Sequence, residues 1–295
     1  MQYINKELNR AEGDEITKAY LCHIWIEDER RYPVDYNDSF KKLPTKARSY
    51  YKQMTRVLLS NQNHYCCYCM RKLTGVDDTT LEHIIPQTAD EQDAHYYQRK
   101  AFTRLSEHVM LSKQFSQEEN PNLSKMPHTV CYDNLVASCH GRFPTIKKEK
   151  DEVSDGHSCN HPRGVRRALP LYFLEDIESI IGYGINGSII YNQESSWSYE
   201  ADELIQSAKL NWETLTDIRA LWYVLREIDL EQIIEEGSHE QSRIDLIRDN
   251  LYLTNFSDER IDRLEKKFSK EQYWECFLMY DWFHSYNWDT HKIWN

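Results

Sequence analysis

The chain has 295 residues, enough to bury a sizeable core in one large domain or two modest ones. Its net charge of −12, from 36 basic and 48 acidic residues, argues against a protein that coats nucleic acid without specificity. No apolar run of membrane-spanning length occurs, and the start Met1-Gln2-Tyr3-Ile4-Asn5-Lys6 lacks the pattern of a signal peptide, so no membrane partner and a cytoplasmic location are expected.

Residues 1–62 read as helical. Asp14 can cap a helix that carries Ile16, Tyr20 and Ile24 on one face and that Pro33 would end. Thr45, after Pro44, can start another with Ala47, Tyr51, Met54 and Leu58 at helical spacing. Both faces read as core. From 63 to about 168 the texture changes to cysteine, histidine, proline and loop residues, with strands expected near 65–73 and 80–85. An insertion separates His83 from Asn134; within it 93–111 can be helical and 117–127 reads as loop.

Residues 169–295 open on a hairpin signal, Asn186-Gly187 between the apolar runs Ile180-Ile181 and Ile189-Ile190-Tyr191. Helices then return. Leu215, Ile218, Leu221, Trp222, Leu225 and Ile228 make one apolar stripe with Asn211 as its expected cap. Ser257 and Ser269 start two more, the second with Gln272 completing a capping box. Tyr273, Trp274, Phe277, Tyr280, Trp282, Phe283, Tyr286, Trp288 and Trp294 crowd the tail, which reads first as a helix closing the core and alternatively as a docking surface.

Eight cysteines are present: Cys22, Cys66, Cys67, Cys69, Cys131, Cys139, Cys159 and Cys276. In a reducing compartment, four at knuckle-like spacing suggest a metal before disulfides. Cys66 and Cys69 are spaced for a tight turn that brings both thiolates onto one ion, and Cys139 and Cys159 can complete a closed tetrahedral zinc site. Such an ion's binding energy becomes folding energy. A gap of 19 residues lies between Cys139 and Cys159, with Cys67 and Cys131 as alternative ligands. The cysteines outside the site read as ordinary buried thiols.

Leu81-Glu82-His83-Ile84-Ile85-Pro86 carries the second constellation. A neutral imidazole can make water nucleophilic at physiological pH, as phosphodiester hydrolysis requires. Neighbours on a strand point to opposite faces, so Glu82 and His83 reach one site only at a twisted strand end, which Ile84-Ile85-Pro86 supplies. Alone, such a pair reads as a surface coincidence; its company changes that. Asn134 offers donors and an acceptor to hold loop backbone, and so the base, in place. Asn160 and His161 each offer an atom to a metal, the oxygen suiting magnesium and the imidazole softer ions, with Asn160 as a helix cap the alternative.

In chain order, Cys66-x-Tyr68-Cys69, Glu82-His83-Ile84-x-Pro86, Asn134-Leu135-x-x-Ser138-Cys139 and Cys159-Asn160-x-x-Arg163-Gly164 resemble the HNH, or ββα-metal, nuclease family. More narrowly, the chain resembles PtuB-type HNH proteins of Septu and retron anti-phage defence systems. The opening Tyr3-Ile4-Asn5-Lys6 is similar to theirs, as is Ile205-x-x-Ala208-Lys209-Leu210-Asn211-x-x-x-Leu215-x-x-x-Arg219. The resemblance implies an α+β protein with a ββα-metal core over 63–168, set between helical regions 1–62 and 169–295. It implies an endonuclease acting on DNA or RNA, with His83 as general base and Asn134 steering it. Glu82 and Asn160 would hold one divalent metal, Mg2+ or another, with His161 keeping the last ligand open. Cys66, Cys69, Cys139 and Cys159 would hold structural zinc.

Arg163 stands where many members have lysine and would serve a phosphate through a fork. With Arg166 and Arg167 it belongs to a basic island, seven basic against four acidic residues over 140–167, though 147–155 also reads as a solvated loop. The resemblance further implies an ATPase subunit as partner and a role as defence effector. Rival readings are a modified-DNA restriction nuclease, a zinc-stapled adaptor, and a helical scaffold that assembles through its aromatic tail.

Overall fold

The computed structural model describes residues 1–27, 40, 46–115, 124–141, 158–164, 166–227, 240–252, 258–267 and 270–289, which form a mixed α+β fold. Helices α1 (Arg10–Glu27) and α2 (Lys46–Asn61) pack against each other. The expected faces are the buried ones: Ile16, Tyr20 and Ile24 on α1, Met54 and Leu58 on α2. Asp14 is not the cap. Helix α1 begins at Arg10, and Asp14 lies 3.6 Å from that arginine one turn on, a pairing that favours continuing the helix through it. Gly13 is required where α1 meets the Tyr132 ring, because any Cβ there would overlap the ring. Cys22 is also not a buried thiol: it lies exposed on α1, whereas Cys67, Cys131 and Cys276 are buried. Pro33, Thr45, Ile228, Ser257, Ser269 and Trp294 lie outside the described residues.

After α2 the chain makes a tight turn, with Tyr65 bridged antiparallel to Lys72, and enters β1 (Thr79–His83). The insertion holds α3 (Glu91–Tyr97), α4 (Thr103–His108) and the strands β2 (Val109–Met110) and β3 (Met126–Pro127), which pair in parallel. Asp90 caps α3 in a reciprocal box with Asp93. Strand β4 (Leu135–Cys139) then returns antiparallel to β1, with Thr79 opposite Cys139 and His83 opposite Leu135. The short helix α5 (Asn160–Arg163) follows.

The outer edge of β4 has no strand beside it among the described residues, and side chains close it instead. Lys6 Nζ donates to Leu135 O at 2.7 Å. Gln62 serves both groups of Ala137, its Nε2 donating to the carbonyl at 2.8 Å and its Oε1 accepting from the amide at 2.7 Å. The Cys139 amide donates to Cys66 Sγ at 3.3 Å. Each contact satisfies a backbone group that would otherwise be buried unpaired.

Beyond α5 come α6 (Ile177–Ile180) and the expected hairpin, β5 (Ile181–Tyr183) with β6 (Ile189–Tyr191). Helices α7 (Ser198–Ser207), α8 (Glu213–Val224), α9 (Glu240–Tyr252), α10 (Asp258–Lys267) and α11 (Lys270–Leu278) complete the chain. Asn211 is not the cap of α8, whose N-cap position is Trp212. Its amide grips the backbone of Ile189 instead, accepting from the N–H at 2.6 Å and donating to the carbonyl at 3.0 Å. Arg219, fully buried, donates to Leu210 O at 2.8 Å and Gly187 O at 3.3 Å, so two polar members of the 205–219 motif, Asn211 and Arg219, lock the hairpin. The aromatic tail is core: Phe277 stacks on Trp222 at 4.6 Å, and Tyr273, Trp274, Tyr280, Phe283 and Trp288 are buried.

The three regions share one cluster of buried side chains. No helix among the described residues is long and apolar enough to cross a membrane. Gly187 sits at φ 84° with Ala220 N 2.8 Å from where a Cβ would stand and Thr216 O closer still. Gly187→Ala should therefore cost about 2 kcal/mol or more in urea denaturation, from backbone strain and overlap together.

Candidate functional site

The tight turn after α2 places two thiols. Cys66 N donates to Arg71 O at 2.9 Å and Met70 N to Cys66 O at 3.2 Å, with Met70 at φ 62°, so Cys66 and Cys69 face one point. Cys139 ends β4, and Cys159 immediately precedes α5, its amide bonded to Ala208 O at 2.8 Å. The long gap between them closes at its base through Ser158 N to Gly141 O at 2.9 Å, so sequence separation does not separate the thiols. Residues 142–157, which carry most of the basic island, lie outside the described residues.

The four sulfurs lie within 4.8 Å of one another and are buried, with Cys66 to Cys159 at 3.9 Å and Cys69 to Cys139 at 3.8 Å. Four sulfurs at the corners of a tetrahedron with zinc–sulfur bonds of about 2.3 Å stand about 3.8 Å apart. The group can thus hold a metal such as zinc, and Cys67 and Cys131 are not part of it. Burial alone would raise the Cys66 thiol, but hydrogen bonds from Cys139, Cys159 and its neighbours bring it well below its ordinary value. Burial and its own hydrogen bonds push Cys159 well up. Four thiolates brought this close need a positive ion between them.

The opposite end of the ribbon carries Glu82 and His83. Glu82 is buried, and its Oε1 accepts from Tyr68 OH at 3.2 Å and from Arg163 Nη1. Burial lifts the Glu82 carboxyl above its ordinary range, against the pull of Arg163 and Tyr68. His83, half-buried, faces another way and presents Nε2 to Thr129 O at 2.9 Å. A carbonyl only accepts, so Nε2 carries a proton, and in the neutral form of the ring the lone pair is on Nδ1. The Asn134 side chain accepts from Ile85 N at 2.8 Å and donates to Ile85 O at 3.0 Å and His128 O at 2.7 Å. It thus braces the two backbone segments that flank the His83 ring, and touches loop backbone as expected.

Arg163 corrects the expectation of a phosphate contact. It is buried, and its fork reaches Glu82, His83 O at 3.0 Å, Ile84 O at 2.8 Å and Tyr97 OH at 3.5 Å. The guanidinium is committed to the strand end and docks α5 there, because a bend leaves those carbonyls without ladder partners. Asn160, three residues earlier on the same short helix, has a buried Oδ1 with no hydrogen-bond partner. His161 belongs to α5, but its side chain lies outside the described residues. Arg166 and Arg167 are exposed, the latter paired with Asp93 at 2.8 Å.

Sequence reasoning missed Tyr68, Tyr97, Gln62, His128 and Thr129, which hold the site. Tyr68 lies inside the Cys66-x-x-Cys69 motif and was open to notice; the others act over long sequence distances with no local pattern. Searched against protein-family models, curated proteins and solved structures, the chain matches none significantly.

Two outcomes are expected. Purified protein should carry about one zinc per chain by elemental analysis, and Cys139→Ser or strong chelation should lower the melting temperature by about 10 °C or more. Arg163→Lys offers one compact ammonium in place of a fork with several acceptors, and should cost about 2–4 kcal/mol by urea denaturation. Unchanged stability would show that the fork does not dock α5.

Proposed function

We propose that the chain is a metal-dependent endonuclease of the HNH, ββα-metal type, hydrolysing phosphodiester bonds of nucleic acid. The observation that carries this reading is the docking of α5 on the strand end by Arg163, which puts an unpaired buried amide oxygen on the helix that grips Glu82. Tyr68 and Arg163 both bind Oε1 of Glu82 and leave Oε2 outside their hold. Two hard oxygen donors suit Mg2+ or a similar ion, which favours Asn160 over His161 as ligand. Held by Glu82 and Asn160, the ion would stabilise negative charge on the phosphate and the departing oxygen.

In this reading His83 takes a proton from the attacking water through Nδ1, while Thr129 O keeps the other nitrogen protonated. Asn134 keeps the loops around the ring in place. The thiol cluster supplies structural zinc and fixes the start of α5. Arg166 is the exposed cation nearest α5 in sequence and the first candidate for backbone contact with nucleic acid. The motif resemblance adds an ATPase subunit and an anti-phage role, and a net charge of −12 suits a nuclease to which a partner delivers its polyanionic substrate.

The test is cleavage of plasmid, single-stranded DNA and tRNA in Mg2+ by wild type, His83→Ala and Asn160→Ala, with and without the ATPase. The expected result is Mg2+-dependent cleavage abolished by EDTA and reduced about 100-fold or more in His83→Ala. Cleavage by His83→Ala at the wild-type rate, or none by wild type under any condition, would overturn the nuclease reading and favour a zinc-stapled adaptor.

A further inference from the structure

The acceptor that fixes the His83 ring is a main-chain carbonyl, and a carbonyl points where its flanking peptides put it. Thr129 lies in a turn after β3, in which Val130 N and Cys131 N both donate to Pro127 O, at 3.0 and 2.9 Å. That turn is held from several sides. His128 N donates to Met110 O at 2.8 Å, Asn134 Nδ2 to His128 O at 2.7 Å, and Thr17 Oγ1 to Val130 O at 2.9 Å.

The His128 side chain adds a second bridge beside the one Asn134 makes between Ile85 and this turn. It is buried, and its Nε2 meets Gln87 O at 3.2 Å while its Nδ1 meets Ser112 N at 3.1 Å and Ser112 Oγ at 3.0 Å. Ser112 Oγ in turn lies 3.1 Å from Thr129 Oγ1. Both ring nitrogens are assigned by their partners: Gln87 O only accepts, so Nε2 carries the proton, and Ser112 N–H only donates, so Nδ1 holds the lone pair. The ring is thus neutral, and burial keeps its pKa below the ordinary histidine value. Gln87 belongs to the bend that follows His83, so this ring fastens the segment after the imidazole to the turn that carries the imidazole's acceptor. A phenylalanine would fill comparable space with no polar group to satisfy, so burial alone does not call for this residue.

We infer that His128, together with Ser112, is a positioning residue for His83, holding the Thr129 carbonyl so that His83 keeps its proton on Nε2 and its lone pair on Nδ1. The consequence for catalysis rests on the nuclease reading; the positioning itself does not.

The test compares wild type, His128→Phe, His128→Asn and Ser112→Ala by two readouts. Nitrogen-15 NMR of the His83 ring, assigned by its loss in His83→Gln, reports the tautomer without reference to activity. Wild type and His128→Asn, whose amide oxygen can replace Nδ1 as acceptor for Ser112 N, should show the Nε2–H form; His128→Phe should show a mixture. Kinetics should show kcat lowered about 10- to 100-fold in His128→Phe with KM nearly unchanged, and largely restored in His128→Asn. Should His128→Phe fail to fold, Ser112→Ala should still shift the tautomer in the same direction. An unaltered His83 tautomer in both His128→Phe and Ser112→Ala, or in Ser112→Ala alone should His128→Phe not fold, overturns the inference even if stability falls. Absence of cleavage by wild type overturns the nuclease reading instead and leaves the tautomer measurement decisive for His128.

Discussion

Strand β4 is buried at all five residues yet, among the described residues, has only β1 beside it, and that constraint organises the rest of the molecule. A two-stranded ribbon is marginal by itself, and each backbone group left buried and unpaired on its free edge would cost about 1–3 kcal/mol. The edge is therefore finished by residues from elsewhere in the chain: Lys6 on Leu135, Gln62 on Ala137 and Cys66 on Cys139. The N-terminal segment is for this reason a working part of the ribbon. Its opening residues lie pinned, with Ile4 N on Tyr172 O at 2.7 Å and Asn5 O accepting from Asn61 Nδ2 at 2.6 Å.

The same ribbon separates two clusters of side chains. Thr79 and Cys139 stand at the thiol end, His83 and Leu135 at the other. Four residue steps at about 3.4 Å each put the two ends about 14 Å apart, too far for the sulfurs to share an ion with His83. Yet Cys159 is followed directly by Asn160, so the clamp at one end sets where α5 starts, and Arg163 at its close seats that helix on the other. A metal among the sulfurs would thus act on the strand end through the backbone of α5, by fixing its position.

What was legible in the sequence was short-range. Apolar residues at helical spacing located the buried faces of α1, α2 and α8, Asn186-Gly187 located the hairpin, and the Cys66-x-x-Cys69 turn, completed by Cys139 and Cys159, located the thiol group. Errors arose where a residue with a good local explanation had a better distant partner. Asn211 has the chemistry of a cap and stands before an apolar helix, but Ile189, 22 residues away, claims both ends of its amide. Arg163 sits in a motif that implies phosphate, but the carbonyls of a bent strand end 79 and 80 residues earlier claim its fork. Gln62 and His128 leave no trace at all in the pattern, because periodicity records which face is apolar and says nothing of which distant carbonyl is left over.

Leftover carbonyls also explain an arrangement that composition alone makes puzzling, a strongly acidic chain with cations in its interior. Lys6, Arg163 and Arg219 are buried, and each donates to main-chain oxygens: Leu135, the pair His83 and Ile84, and the pair Leu210 and Gly187. These oxygens lie at strand edges, bends and turns, where no ladder supplies a donor, and a long cationic side chain can reach them from another element. A carboxylate could not do this work, since it carries no donor. Burial lowers Lys6 to about 7, against the pull of Asp133, but an uncharged amine still donates, so its bond to Leu135 does not depend on keeping the proton. Arg163 differs from the other two because it also meets a carboxylate, Glu82, and a buried pair of this kind is held by geometry more than by net attraction. The strand end therefore owes its shape to the carbonyl contacts of Arg163, while the Glu82 contact engages Oε1 and leaves Oε2 outside its hold.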